Sequence, residues 1–363
     1  MEPRPQWNVD ALQKYDFLSQ EYRNLFRCSS GTVFQSPLWL DRLYRHLADE
    51  LKAEPLIITV RDARSGHLAA IFPLVVRRRH RFRVVEFADF GISDYCAPVC
   101  DPGAMPALLA DRTVPKRIRT LLKPNDLIFV QKIRAESLPF FDLLGKVRAL
   151  QLPFTAHATR LFSPFAAWRE AGISPSQRRF LDTKRKWLTK RGTLTVSAVT
   201  SGEGFQQVLE NIQRFRDHRF RATGAFDILT KEAFARFYRE VAHESLPARG
   251  YLMKLNGTII AAAFGLLHGK RLHFILSGFD FLNYRNASLG LLLIEDIIAD
   301  CIARGEETMD LTIGDQAYKR EFGTHDTAMY SIWSGLSLRG KLAAFLLSRS
   351  DLLRQLTRRF VRR

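Results

Sequence analysis

The chain has 363 residues, enough for two domains, and its 46% hydrophobic content supports full cores. Lysine and arginine total 55 against 37 acidic residues, a formal net charge of +18, which implies an anionic partner: nucleic acid, acidic lipid, a phosphate-rich cofactor or an acidic carrier protein. No stretch reaches about 18 consecutive apolar residues, which excludes a membrane-spanning helix.

MEPRPQWNVD lacks the apolar run of a signal peptide, so a cytoplasmic protein is expected. The four cysteines and nine histidines show no metal-ligand spacing, so reduced thiols and no metal are expected.

In chain order, Asp10 is placed to cap a helix through Tyr15, Leu18 and Tyr22. Ser36-Pro37 opens a second through Leu40, Leu43, Tyr44 and Leu47, since proline suits the first helical position. Residues 56–60, 67–76 and 82–87 read as strands, separated by turns at Arg64-Ser65-Gly66 and at the basic run 77–81. A loop at 88–95, a helix near 105–122, a strand at 126–132 and a helix at 139–150 follow.

Ser174-Pro175 starts a long basic helix that ends at Gly192, and residues 194–199 form a strand. Helices at 204–220 and 231–244 precede a three-stranded meander. Its first turn is Asn256-Gly257, a tight hairpin signal, and its second is His268-Gly269-Lys270. After the polar loop 280–286, Ser288 is expected to cap a helix whose apolar residues Leu289, Leu292, Leu293, Ile297, Ile298 and Ile302 recur at helical spacing, with Gly305 ending it. A strand at 308–313 closes on Gly314-Asp315, and a last helix starts near Gln316 and carries Tyr318, Lys319 and Phe322. A strand, a tight turn and a helix N-terminus form a site for an anion, because the first helical amides have no partner of their own. The turn here is Arg285, Asn286, Ala287, Ser288, Leu289 and Gly290, where glycine permits close approach. A capped helix packed on a sheet explains the same residues.

AAIFPLVV from Ala69 and AAAFGLLH from Ala261 match in Ala, Ala, Phe and Leu, and both lie within the same succession of turns and strands. Two copies of one α/β domain are therefore expected.

FILSGFDFLNYRNASLGLLLIEDIIADCIARGEETMDLTIGDQAYKREFG and the upstream RRFLDTKRKWLTKRG resemble the second half of FemAB-like, double-domain GNAT acyltransferases, in particular the group called cellulose-biosynthesis-type acetyltransferases. The resemblance covers roughly residues 175 to 325, and its most specific piece is Gly314-Asp315-x-x-Tyr318-Lys319. It implies a mixed α/β fold of two tandem GNAT-like domains, 1–165 and 166–335, each a mixed sheet flanked by helices. The first copy lacks the Gly-Asp-x-x-Tyr-Lys ending and is expected to have no chemistry of its own. The resemblance implies acetyl-CoA or another acyl-CoA as donor, with phosphate held at 285–290. Acyl carrier protein and aminoacyl-tRNA are variants of the donor.

In that reading Tyr318 protonates the leaving thiolate, and Asp315 orients or deprotonates the acceptor. Lys319 holds a phosphate or developing negative charge, while Asp280, Tyr284 and Arg285 contact acceptor or cofactor. The competing readings are a Tyr packed at a domain edge, an Asp N-cap, and a solvated Lys. Glu295 reads as packing or a helix-face charge. The implied acceptor is an amine or hydroxyl of a polysaccharide, lipid-linked sugar or other envelope precursor.

Residues 336–363 alternate apolar Leu338, Leu342, Phe345, Leu346, Leu353, Leu356 and Phe360 with many arginines. Such a helix lies on an anionic membrane surface or docks on the body of the same protein. Two readings of other classes compete with the enzyme: a non-catalytic nucleic-acid-binding protein, disfavoured because no recognition motif is visible, and a catalytically degenerate scaffold at the membrane surface.

Overall fold

The computed structural model describes residues 6–349 apart from 201, 224–226 and 244–247. In chain order the early elements are β1 (Trp7–Leu12), α1 (Gln20–Cys28), α2 (Pro37–Leu47), β2 (Glu54–Asp62), β3 (Leu68–Arg79), β4 (Phe82–Phe87), β5 (Val99–Cys100), α3 (Met105–Ala110), α4 (Thr113–Leu122) and β6 (Leu127–Arg134). Then come β7 (Arg148–Arg160), α5 (Phe165–Gly172), α6 (Pro175–Thr189), β8 (Leu194–Val199), α7 (Glu203–Thr223), α8 (Glu232–His243), β9 (Ala248–Leu255), β10 (Thr258–His268), β11 (Arg271–Phe279), α9 (Leu289–Ala303) and β12 (Thr308–Ile313). Last are β13 (His325–Gly335) and α10 (Leu338–Arg349).

Four local expectations change. Asp10 lies inside β1, and Ser19 caps the helix that carries Tyr22, accepting from the Tyr22 amide. The helix expected over 105–122 is two, separated at Asp111 and Arg112, where the Asp111 side chain accepts from the Thr113 amide. The helix expected at 139–150 is a 3₁₀ stretch, Ala135–Leu144, with Pro139 inside it, and the chain then becomes β7. Proline removes one donor and clashes in an α-helix, so a regular helix cannot form there. The last helix is a single 3₁₀ segment, Ala317–Phe322, closed by left-handed Gly323. A Cβ on Gly323 would stand 2.6 Å from the Gly172 carbonyl oxygen, so only glycine fits that stop. The tail reading reaches the described residues only as far as α10, and residues 350–363 lie outside them.

Two compact units result, one from residues up to Phe154 together with those from Ala328, the other Thr155–Thr327. In the first, the sheet order is β1-β2-β3-β4-β6-β13, antiparallel throughout except for the parallel pair β4–β6. In the second, the order is β8-β9-β10-β11-β12-β7, again antiparallel except for one parallel pair, β11–β12. The two mixed sheets have one topology, and the AAIFPLVV and AAAFGLLH segments are the third strand of each. The copies agree in detail. The third strand carries Pro73 in one and Gly265 in the other at matching places, and a register shift falls at Phe264/Gly265. The fifth strand bulges against the sixth in both: Gln131 and Lys132 face Ser331, and Leu311 and Thr312 face His157. Lys132 and Thr312 both take positive φ, 59° and 60°. The sixth strands, however, are exchanged along the chain. The end of β7, the strand directly after β6, pairs with β12 in the second unit, and the first unit takes β13 from Ala328 onward.

Helices cover both faces of the second sheet, which explains why β10 is apolar without alternation. Ala261 and Ala263 pack with Leu292, Leu293 and Ile297 of α9. Phe264 faces the other way, its ring edge-on to Phe205 of α7 at 6.1 Å and to Tyr238 of α8 at 6.5 Å.

Candidate functional site

The parallel pair β11–β12 is short. It holds from Arg271↔Thr308 to His273↔Asp310, while β11 continues to Phe279 and β12 to Ile313. The cause lies in β12. Its bulge bends the strand, and the Asp310 carboxylate fixes the bend by accepting from the Thr312 amide at 2.8 Å. Asp310 is buried and ion-paired with Arg271 at 3.1 Å. Beyond the bend, the Lys319 ammonium donates to the carbonyls of Ile313 at 2.7 Å and Thr312 at 3.3 Å. Lys319 is itself buried. The two strands therefore part toward their C-terminal ends, where ligands of parallel sheets bind.

The loop from β11 to α9 is organised by Asp280. Its carboxylate accepts from the amide and the side chain of Asn283, at 3.0 and 2.8 Å, and its carbonyl from the Tyr284 amide. The Lys184 ammonium holds the Asn286 carbonyl at 2.7 Å. Ser288 occupies the N-cap position of α9 in a left-handed conformation, and its hydroxyl makes no capping bond. Among the described residues the amides of Ser288, Leu289 and Gly290 meet no acceptor. Ala287 and Leu289 are buried in the core; Arg285 and Asn286 are exposed. Gly290 packs against Phe279: a Cβ there would lie 3.3 Å from the ring.

Three cations surround this helix start: Lys184, Arg285, which lies over the Phe281 ring at 5.5 Å, and Arg219, which lies over the Phe279 ring at 5.6 Å. Arg219 also neighbours Tyr318 electrostatically. Tyr318 is half-buried against the core of the unit. Burial raises its hydroxyl above the ordinary tyrosine value, and Arg219 opposes this. A hydroxyl in that state is protonated at neutral pH and can donate.

Asp315 turns toward β7. Its carboxylate accepts from the amide and hydroxyl of Thr155, at 3.3 and 3.4 Å, and it is exposed. His157, which none of the sequence patterns singled out, lies beside it with a fully buried side chain. Its Nε2 is 3.2 Å from Thr155 Oγ1 and 3.8 Å from Asp315 Oδ1, and its Nδ1 is 2.9 Å from Asp326 Oδ1. Arg320 reaches both carboxylates, Asp326 at 3.3 Å and Asp315 at 3.9 Å. Burial lowers the imidazole below the ordinary histidine value. The alternation Leu152, Phe154, Ala156 was the available sign of a strand through this residue.

Asp280, Tyr284 and Arg285–Gly290 thus lie in one loop, and Tyr318 packs against the same core cluster as Ala287 and Leu289. Asp315 belongs to a separate polar cluster on β7, and the Lys319 ammonium faces backbone carbonyls. Glu295 is buried and bridges Arg169 at 2.7 Å and Arg185 at 3.0 Å. Among the described residues no group of three or more His, Cys, Asp or Glu is arranged to hold a metal ion.

Residues 175–320 match the family model described as an acetyltransferase (GNAT) domain. No curated protein sequence matches the chain. Among solved structures it is similar to FemX, with 11% identity and a TM-score of 0.59 over 88% of this chain and 96% of that one. It is also similar to L-PGS from Bacillus licheniformis, with 12% identity and a TM-score of 0.56 over 94% and 96% of the two chains.

Proposed function

From a chain that carries a GNAT acetyltransferase domain within a tandem, GNAT-like fold of the Fem type, we propose an acyltransferase that moves an acyl group from a thioester donor to an amine or hydroxyl. The observation that carries this reading is the parting of β11 and β12 after three residue pairs, with the open amides of α9 at the end of one strand and Tyr318 just past the end of the other.

The donor's phosphates sit at the amides of Ser288, Leu289 and Gly290, with Lys184, Arg219 and Arg285 supplying charge. The acyl arm enters the gap, where the free edge of β11 polarises the carbonyl. Asp315 takes a proton from the acceptor, the acceptor's lone pair attacks the carbonyl, the C–S bond breaks, and Tyr318 protonates the departing thiolate. Asp280 shapes the loop rather than touching the ligand, and Tyr284 lines it. The first unit serves as scaffold: Lys132 fixes its corresponding loop by donating to the Ser93 carbonyl and pairing with Asp89, both at 2.9 Å.

Acetyl-CoA is the donor we favour, with other acyl-CoAs, acyl carrier protein and aminoacyl-tRNA as variants. The acceptor is an envelope precursor or polysaccharide intermediate. The same proposal includes contact of α10 with an anionic membrane surface, supported by Leu338, Leu342 and Leu346, which are 86%, 61% and 56% exposed beside Lys341. Flotation with anionic vesicles at low salt tests that contact, and its loss on truncation after residue 335 is expected. No helix among the described residues is long and apolar enough to cross a membrane.

Calorimetric titration with acetyl-CoA tests the donor. Binding that weakens on replacing Arg219 and Arg285 by alanine is expected. Tyr318→Phe should lower kcat by about 10²-fold with little change in donor KM. No binding to any thioester donor would refute the enzyme.

A further inference from the structure

The cluster around His157 is not used by the transfer scheme above, although it stands at the end of the strand that opens the site. Four elements meet there. β7 contributes Thr155 and His157; the end of β12 leads into Asp315; the 3₁₀ segment contributes Lys319 and Arg320; the start of β13 contributes Asp326. The imidazole fills the place opposite the β12 bulge, and in the other copy of the fold that place holds Ser331, a small buried hydroxyl. The parallel pair parts in both units, but a full ring with two nitrogens stands in this place only in the unit that has the amides of α9 and Tyr318.

The arrangement is a connected series. Asp326 touches one nitrogen of His157, and Thr155 touches the other. The Thr155 hydroxyl in turn meets Asp315, so the buried ring lies between two exposed carboxylates, Asp315 and Asp326. The hydroxyl of Thr155 lies between the buried ring and the Asp315 carboxylate, to which the transfer reading gives the acceptor's proton. A proton accepted by Asp315 has a path inward: the hydroxyl of Thr155 passes one proton on as it receives another, and the imidazolium that forms is balanced by Asp326. Lys319 and Arg320 oppose that imidazolium, and the carboxylates Asp315 and Asp326 favour it.

We propose that His157 is a positioning residue that holds Asp315 ready to accept the acceptor's proton, acting through Thr155 and backed by Asp326. It rests on the transfer reading for the role of Asp315, but the coupling of the two groups stands on the geometry alone. A proton moves from the acceptor's nitrogen or oxygen to Asp315, then through Thr155 to His157 Nε2, and leaves to solvent when the product departs. No oxidant or further reactant is needed. The device requires His157 neutral at the start of each cycle, which burial supplies.

The test uses the full chain with histidine isotopically labelled, and follows the His157 ring by NMR as a function of pH. Asp315→Asn and Asp326→Asn should each move the ring's titration to lower pH, since each removes a negative neighbour, and Arg320→Gln should move it to higher pH. Thr155→Val keeps the strand but cuts the hydroxyl link. In parallel, thiol release from acetyl-CoA is measured with ethanolamine as the probe acceptor. The acid limb of kcat should follow the ring titration, downward in Asp326→Asn and upward in Arg320→Gln. Thr155→Val should lower kcat by about tenfold or more with donor KM unchanged.

A ring titration that ignores Asp315→Asn overturns the coupling, whether or not acetyl-CoA is turned over. An acid limb that stays put while the ring titration moves reduces His157 to a structural residue. Absence of thiol release in the wild type, with the ring still responding to Asp315→Asn, counts against the transfer reading and leaves the coupling supported.

Discussion

Two buried side chains of the second unit carry distinct predictions. Lys319 spends its ammonium on the carbonyls of Thr312 and Ile313. Lys319→Met keeps the length and removes the donor, leaving buried acceptors unmatched at about 1–3 kcal/mol. A fall of that size in urea-unfolding stability, with acetyl-CoA affinity unchanged, is expected; unchanged stability with weaker donor binding would instead put the ammonium on a phosphate. His273 is buried beside Asp310, and burial pushes its imidazole down to about 4 against the opposing pull of Asp310. The unfolded ring titrates near 6.5. Between about 6.5 and about 4 the unfolded chain therefore binds a proton that the folded chain refuses. Stability falls as pH drops through that window, by on the order of 3 kcal/mol at its lower end. Urea midpoints measured from pH 7 to 4 should show the decline, and His273→Gln should flatten it.

Among the elements, α9 is the hub: its apolar face reads from the sequence, and its polar face joins α5 and α6 through Glu295. Glu295→Gln keeps the shape and removes the charge shared by Arg169 and Arg185. A fully buried pair broken this way costs about 3–5 kcal/mol. Arg185 is 32% exposed, so about 2 kcal/mol is expected, read as a lower melting temperature with no change in the donor-binding loop. The strands at 82–87, 194–199 and 308–313 coincide with the sequence reading to the residue, because glycine turns or loops bound short apolar runs there. β7 and β13 were not legible. Leu143, Leu144 and Val147 imitate helical spacing just before β7, and β13 begins with the polar His325, Asp326 and Thr327. His157 was hidden with its strand. The loop at 285–290 was legible as a helix start with free amides. That Asp280 would be consumed by Asn283, and Lys319 by two carbonyls, depended on contacts that no local pattern encodes.

At the scale of the whole molecule the two units repeat one sheet with one parallel pair each, which four matches in eight residues at Ala69 and Ala261 had foreshadowed. Divergence is concentrated at the open ends of the parallel pairs, where one copy places Lys132 and the other His157 and the free start of α9. The membership of the sixth strands sets a limit on dissection. A chain ending at residue 324 retains every strand of the first unit except β13, and so leaves the Val130 and Ile133 edge of β6 without its partner. Such a chain should be insoluble or bind a hydrophobic dye strongly, whereas a chain ending at 349 should behave as the intact protein does.

The exchange also fixes an order of events during synthesis. The half that leaves the ribosome first lacks its closing strand until residues 325–335 have been made, although its neighbour in sequence, β7, is already present. Nascent β6 therefore waits with an open edge while the second unit is translated. That interval is a window for mispairing with β7, and for capture by a chaperone that recognises unpaired strands. Slowing translation after residue 160 should lower the soluble yield of this chain, where for a protein of two self-contained halves it would raise it.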